Sequence, residues 1–149
     1  MKKILVALDG SSREIGTLDA AIALGRKTGA KLLLFRSVGI PHAHDLPADF
    51  YAMDPQELPK ILQERALLDL AKLEPLVPLQ CRGGMHVVVG TPWQSITRVA
   101  QEEDVDLILV GSHGYDVMDR LLGTTAAKVV NHADRSVLVV RAPERFTSE

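Results

Sequence analysis

The sequence predicts an α/β protein built on a five-stranded parallel sheet with helices on both faces. Three observations carry this. Five apolar runs alternate with stretches of helical period, in the order β-α-β-α-β-α-β-α-β. The runs are predominantly apolar, as strands buried on both faces are. Two of them, the first and the fourth, empty into glycine-bearing turns. These are Asp9-Gly10, and Gly111-Ser112-His113-Gly114 with Gly123-Thr124 after an eight-residue spacer.

Residues 4–8 form a continuous apolar run that stops at Asp9-Gly10 and sets the first strand. Ser11 and Glu14 stand at capping-box spacing. Ile15, Leu18, Ile22 and Gly25 then recur at helical intervals, and Gly29 is the stop. Residues 32–38 are the second strand. Residues 39–53 contain Pro41, Pro47, His42 and His44 and show no period; a loop of that length in a compact domain is usually functional or mobile. Residues 59–74 give the second helix, with Pro59 in its first turn, Leu67, Leu70 and Ala71 on one face, and Pro75 and Pro78 ending it. Residues 86–89 are a short third strand stopped by Gly90. Pro92 opens a helix whose apolar face is Ile96, Val99 and Ala100. Residues 105–110 are the fourth strand, Ala126, Val129, Val130 and Ala133 share a face of the last helix, and residues 137–140 are the fifth strand. Residues 143–149 read as a frayed end.

The 149 residues read as one domain, 1–149, with one core. A net charge of −2 leaves no basic excess to attract nucleic acid or a membrane surface, so both are set aside as partners. Cys81 is the single cysteine, which rules out an intramolecular disulfide and fits a reducing compartment. The short apolar run after Met1-Lys2-Lys3 does not fit a secretory signal, and no run approaches the roughly 18 residues of a membrane span. The expected location is cytoplasmic.

Glycines let main-chain N–H groups approach a ligand with no Cβ in the way. A helix that follows aims its unpaired N–H groups and positive dipole end at the same spot. Gly111, Gly114, Gly123 and Thr124 therefore have the arrangement of a phosphate cradle, with Thr124 offering its N–H and hydroxyl; the plainer alternative is a tight turn with Thr124 as helix cap. With the strand order 3-2-1-4-5, the ends of strands one and four flank the reversal of order, where ligands sit in such sheets. Asp9 can accept a hydrogen bond from a ribose hydroxyl there, or act only as a turn residue with Gly10. Ser11 and Ser12 read better as caps than as ligand contacts. No G-x4-G-K-[ST] occurs, and no arginine finger or water-positioning residue stands in the motif, so nothing is aimed at a phosphoryl-transfer transition state.

Over nearly its whole length the chain resembles the universal stress protein family. The resemblance is carried by Lys3-Ile4-Leu5-Val6-Ala7-Leu8-Asp9-Gly10-Ser11, by Val89-Gly90-Thr91-Pro92 and by Asp106-Leu107-Ile108-Leu109-Val110-Gly111-Ser112-His113-Gly114. Leu121-Leu122-Gly123-Thr124, Val129-Val130-Asn131-His132-Ala133 and Ser136-Val137-Leu138-Val139-Val140-Arg141 complete it. It implies a Rossmann-like sheet of order 3-2-1-4-5, of the adenine-nucleotide-binding type, in a homodimer that meets through the last strand at Val137, Leu138, Val139 and Val140. It implies ATP as ligand, with ADP or AMP as the other candidates and Mg alongside, in a stress-response or regulatory protein with little or no hydrolysis. Residue by residue, it implies Asp9 beside the nucleoside, main-chain groups at Ser37 and Val38 against the adenine edge, and Gly111, His113, Gly114, Gly123, Thr124 and Thr125 around the phosphates. The family's ATP-binding members carry G-x2-G-x9-G-[ST], and this chain has eight spacer residues where that pattern has nine. Tyr115-Asp116 follows the second glycine where the family often has a basic or small residue; the Asp116 anion there either weakens phosphate binding or helps hold Mg²⁺.

Other chemistry-bearing residues have plainer readings. His42, His44 and Asp45 fit no compact zinc spacing and have no thiol partner, so they belong to a solvated loop. His113 lacks a nucleophile and an orienting acid and is a structural or phosphate-neighbouring residue. His86 and His132 are strand and helix-end residues, Cys81 beside Arg82 is a bystander thiol, Arg120 lies on a solvated face and Trp93 packs. Two rival functions stay open. One is a slow ATPase, with His113 and Arg120 as the best candidates for a base and a cation over the phosphates. The other is a nucleotide-free dimeric interaction module, favoured by the short spacer and Asp116.

Overall fold

The computed structural model describes residues 1–112 and 122–141. The elements run β1 (Lys3–Ala7), α1 (Glu14–Thr28), β2 (Lys31–Val38), α2 (Leu58–Ala71), β3 (Arg82–Val89), α3 (Pro92–Glu102), β4 (Leu107–Gly111), α4 (Thr124–His132) and β5 (Ser136–Val140). The sheet order is β3-β2-β1-β4-β5 and every pairing is parallel, so the expected α/β, Rossmann-like architecture is present.

Successive strand residues point to opposite faces, and that alternation builds two cores from apolar strands. Ile4, Val6, Leu32, Leu34 and Leu109 pack with Leu18 and Ala21 of α1 and Leu70 of α2. Leu5, Leu33, Phe35, Ile108 and Val110 pack on the other face with Ile96 and Val99 of α3 and Ala126 and Val129 of α4.

Three helix seams differ from the expected ones. α1 buries Thr17, Leu18, Ala21 and Gly25 and leaves Ile15 exposed. α2 buries Ala66 and Leu70, with Leu67 and Ala71 outside. α4 buries Ala126 and Val129, with Val130 outside. Each seam contains small residues that let the helix approach the sheet. At Gly25 a Cβ would already stand 3.3 Å from Leu32 Cδ2.

β3 starts at Arg82, ahead of the expected His86, because Gly83 and Gly84 form part of the strand instead of breaking it. A Cβ on Gly83 would lie 2.8 Å from the Leu32 carbonyl oxygen, and the register shifts opposite Leu32 and Leu34, so the glycines serve a close approach at a bulge. α2 ends at Ala71, short of the expected Glu74, which instead begins a 3-10 turn. The long loop after β2 holds two 3-10 turns, Ala43–Asp45 and Ala48–Phe50, and Arg65 of α2 lies over the Phe50 ring at 5.3 Å.

The amino-terminal end of the sheet is closed by polar contacts. Asp106 accepts the main-chain N–H groups of Lys2 at 2.6 Å and Lys3 at 2.9 Å. Those two bonds hold its carboxyl below the ordinary aspartate range. Arg135 donates to the carbonyls of Ala100 at 2.8 Å and Val105 at 2.9 Å, where α3 turns into β4.

Candidate functional site

At the carboxyl ends of β1 and β4, where the strand order reverses, a cavity of about 280 Å³ opens. Its lining joins apolar side chains (Leu8, Phe35, Ile96, Val110) to polar ones from the two connections that frame it.

The connection from β1 to α1 is fixed by side chains. Gly10 has φ +78°, a left-handed conformation that a Cβ would strain. Asp9 Oδ1 accepts the Ser11 N–H at 2.9 Å, which closes an Asx turn. Ser11 Oγ accepts the Arg13 N–H at 3.3 Å. Glu14 Oε2 accepts the Gly10 N–H at 2.8 Å and the Arg36 guanidinium at 2.6 Å. Arg36 Nε also donates to the Leu8 carbonyl at 3.2 Å. The expected capping box is therefore redirected. Asp9 already takes the Ser11 N–H, and the Glu14 carboxylate turns to Gly10 and Arg36.

The connection from β4 to α4 is fixed at its ends by main-chain bonds. The Ser112 N–H donates to the Val140 carbonyl at 2.8 Å, and the Gly123 N–H donates to the Ser112 carbonyl at 2.7 Å. Gly123 is thus tied directly to Ser112, just past the end of β4. Gly123 is the residue before α4, with φ −60° and ψ 160° and no side-chain cap. The Ala127 N–H closes back to Gly123 at 3.0 Å. By helix geometry the N–H groups of Thr124, Thr125 and Ala126 have no partner inside α4, and all three residues line the cavity.

Asp9, Ser37, Gly111, Gly123, Thr124 and Thr125 are brought together on this cavity. Ser37 donates its hydroxyl to the Gly90 carbonyl at 2.9 Å, so its side chain ties β2 to the turn before α3. His113 and Gly114 lie outside the described residues, as do Asp116 and Arg120. Arg13 and Thr17 also line the cavity and were not singled out from the sequence, and Glu14, read there only as a cap, lines it too. Nor was Arg36, although a lone arginine in an apolar strand calls for a carboxylate partner.

Elsewhere, the His42 and His44 rings stack at 5.6 Å, and no group of three metal-ligating side chains occurs among the described residues. Cys81 is buried. Trp93 packs against His132 with ring centroids 4.5 Å apart. No helix among the described residues is long and apolar enough to cross a membrane.

The profile of the Universal stress protein family matches residues 1–141. Universal stress protein Sll1388 of Synechocystis sp. is 31% identical over 150 residues, which cover 93% of this chain and 97% of that protein. The solved structure of MJ0577, a universal stress protein of Methanocaldococcus jannaschii, superposes with a TM-score of 0.77 at 25% identity, covering 95% of this chain and 96% of that one. A universal stress protein crystallised in complex with cAMP shares the fold at a TM-score of 0.60 and 24% identity, over 95% of this chain and 98% of that one. By sequence and by fold, this chain belongs to the universal stress protein family.

Proposed function

We propose that the chain binds an adenine nucleotide, ATP with Mg²⁺ first among them, in the crevice between the β1–α1 and β4–α4 connections, and acts in stress response or regulation by holding it. The observation that carries this reading is the open start of α4. Three successive N–H groups without helical partners line a cavity at the strand ends, which is an arrangement suited to phosphate. The chemistry of the lining fits the rest of the ligand. Thr124 adds a hydroxyl beside the phosphates. Asp9 keeps Oδ2 for a ribose hydroxyl while Oδ1 serves the turn. The apolar side chains and the main chain near Ser37 suit a purine. The universal stress protein that holds cAMP does so on the same fold.

Charge-assisted hydrogen bonds contribute about 1.5–3 kcal/mol each. Three or four support micromolar affinity, about −8 kcal/mol, after ordering losses. Holding fits the described lining better than turnover, because Asp9 and Glu14 already accept hydrogen bonds within their own connection. The bound nucleotide supplies charge and a phosphate-bound metal. The residues of this chain bind and orient it. The edge of β5, where Leu138 is 41% exposed, is the surface proposed for pairing with a second copy.

A thermal melt of nucleotide-free protein with 1 mM Mg·ATP, against GTP, tests the reading. For a Kd of about 10 µM, linkage gives about 2.7 kcal/mol, a Tm rise of roughly 5–10 °C at this size. A rise with ATP and little with GTP is expected. No rise with ATP overturns the proposal and favours the nucleotide-free interaction module.

A further inference from the structure

We infer that Arg36 and Glu14 are positioning residues: their ion pair holds the turn at Asp9, Gly10 and Ser11 in the shape that presents Asp9 to a ribose, and so sets a preference of the crevice for ribonucleotides over 2′-deoxyribonucleotides. For its ligand the inference rests on the adenine-nucleotide reading. Its geometry stands on the molecule alone.

Arg36 interrupts the apolar run of β2, and its side chain is only 11% exposed, with Glu14 at 15%. A guanidinium that deep requires full pairing. It finds the Glu14 carboxylate at 2.6 Å and the Leu8 carbonyl at 3.2 Å. Glu14 in turn accepts the Gly10 N–H at 2.8 Å with the same oxygen. One side chain from β2 therefore fixes the residue before Asp9 directly and the residue after it through Glu14. Asp9 lies between these anchors, itself exposed, with Oδ1 taken by the Ser11 N–H. The turn is held on both sides of Asp9 before any ligand arrives, and a preformed turn has less order to lose on binding. The pair also neutralises Glu14, which lines the cavity and would otherwise present a bare carboxylate to an anionic ligand.

Two readouts on the full chain test this. In the ligand-free protein, amide hydrogen exchange should be slow at Gly10 in the wild type. In Arg36→Met it should be at least tenfold faster there, with the interior amides of α1 and β1 unchanged. In calorimetric titrations, the wild type should prefer ATP to 2′-deoxy-ATP by about tenfold, the worth of one hydrogen bond to a charged group. Arg36→Met should narrow that preference to within about twofold. Glu14→Gln, whose amide oxygen still accepts from Gly10 but carries no charge for Arg36, should narrow it part of the way. Where Arg36→Met does not fold, Arg36→Lys replaces it, with both effects in the same direction and smaller. Exchange that rises evenly along the chain, or an unchanged Gly10 together with an unchanged nucleotide preference, overturns the inference. If the wild type binds neither nucleotide, the nucleotide reading and the proposed preference fall, while the exchange comparison still decides whether the pair holds the turn.

Discussion

At the amino-terminal end of the sheet, charged side chains close on main-chain groups. Asp106 takes the N–H groups of Lys2 and Lys3, and Arg135 reaches the carbonyls of Ala100 and Val105. At the carboxyl-terminal end, Thr124, Thr125 and Ala126 start a helix whose first N–H groups have no partner within it, on the wall of a cavity. Among the described residues, the same parallel sheet thus has a satisfied end and an open one. Lesions at the satisfied end should cost stability and leave binding alone. Lesions at the other end should do the reverse.

The largest effect expected is at the satisfied end. Arg135→Met leaves two carbonyls without their charged donor in a side-chain environment that is 17% exposed. The loss should be about 3 kcal/mol, a fall in Tm of roughly 10 °C, with the ATP Kd unchanged. A loss of affinity in a folded variant would break the division between the ends. Thr124→Pro is the converse. Proline fits the first helical position, and Gly123 already has the extended conformation that a following proline demands. One open N–H disappears, so the ATP Kd should rise about tenfold, 1.4 kcal/mol, while the Tm stays within about 2 °C. Thr124→Ala separates the hydroxyl from the N–H. Wild-type affinity in Thr124→Pro would mean that the α4 start holds no phosphate.

Gly10→Ala should blur the division, because it forces a Cβ into the left-handed region on the turn that carries Asp9. About 1 kcal/mol of stability should be lost, and some affinity with it. The smallest effect is the pH dependence of the satisfied end. The Asp106 carboxyl is held low by two N–H bonds, so its contribution is complete above the ordinary aspartate range. It begins to go as the pH falls through about 4 and is gone below the lowered value. Asp106→Asn should flatten that acid limb of a Tm-against-pH curve. An unchanged limb would show that the two bonds add nothing to stability.

The strands could be read from the sequence wherever burial on both faces left an unbroken apolar run, as in β1 and β4. The reversal of order, and with it the meeting of Asp9 with Gly111 and Thr124, followed from that pattern together with the family resemblance. The beginning of β3 could not be read, since Gly83 and Gly84 look like breakers until the Leu32 carbonyl beside them is known. Helix seams were misplaced where a small residue, such as Ala66 or Ala21, decided the approach and not the neighbouring Leu67 or Ile22. Arg36 and Glu14 stayed hidden for a different reason. Their link joins a strand to the start of a helix across 22 positions, and local spacing carries no trace of such a pair.

One bond has a reach beyond its own turn. The Ser112 N–H donates to the Val140 carbonyl, and the Ser112 carbonyl receives the Gly123 N–H at the threshold of α4. The outermost strand and the open helix start are therefore two bonds apart. If a second chain pairs along β5, as proposed, these two bonds would carry its effect to the crevice, and by reciprocity a filled crevice would act on β5. Ligand affinity would then vary with protein concentration, and self-association with the nucleotide supply, so that the molecule would register its own copies and its ligand in a single equilibrium.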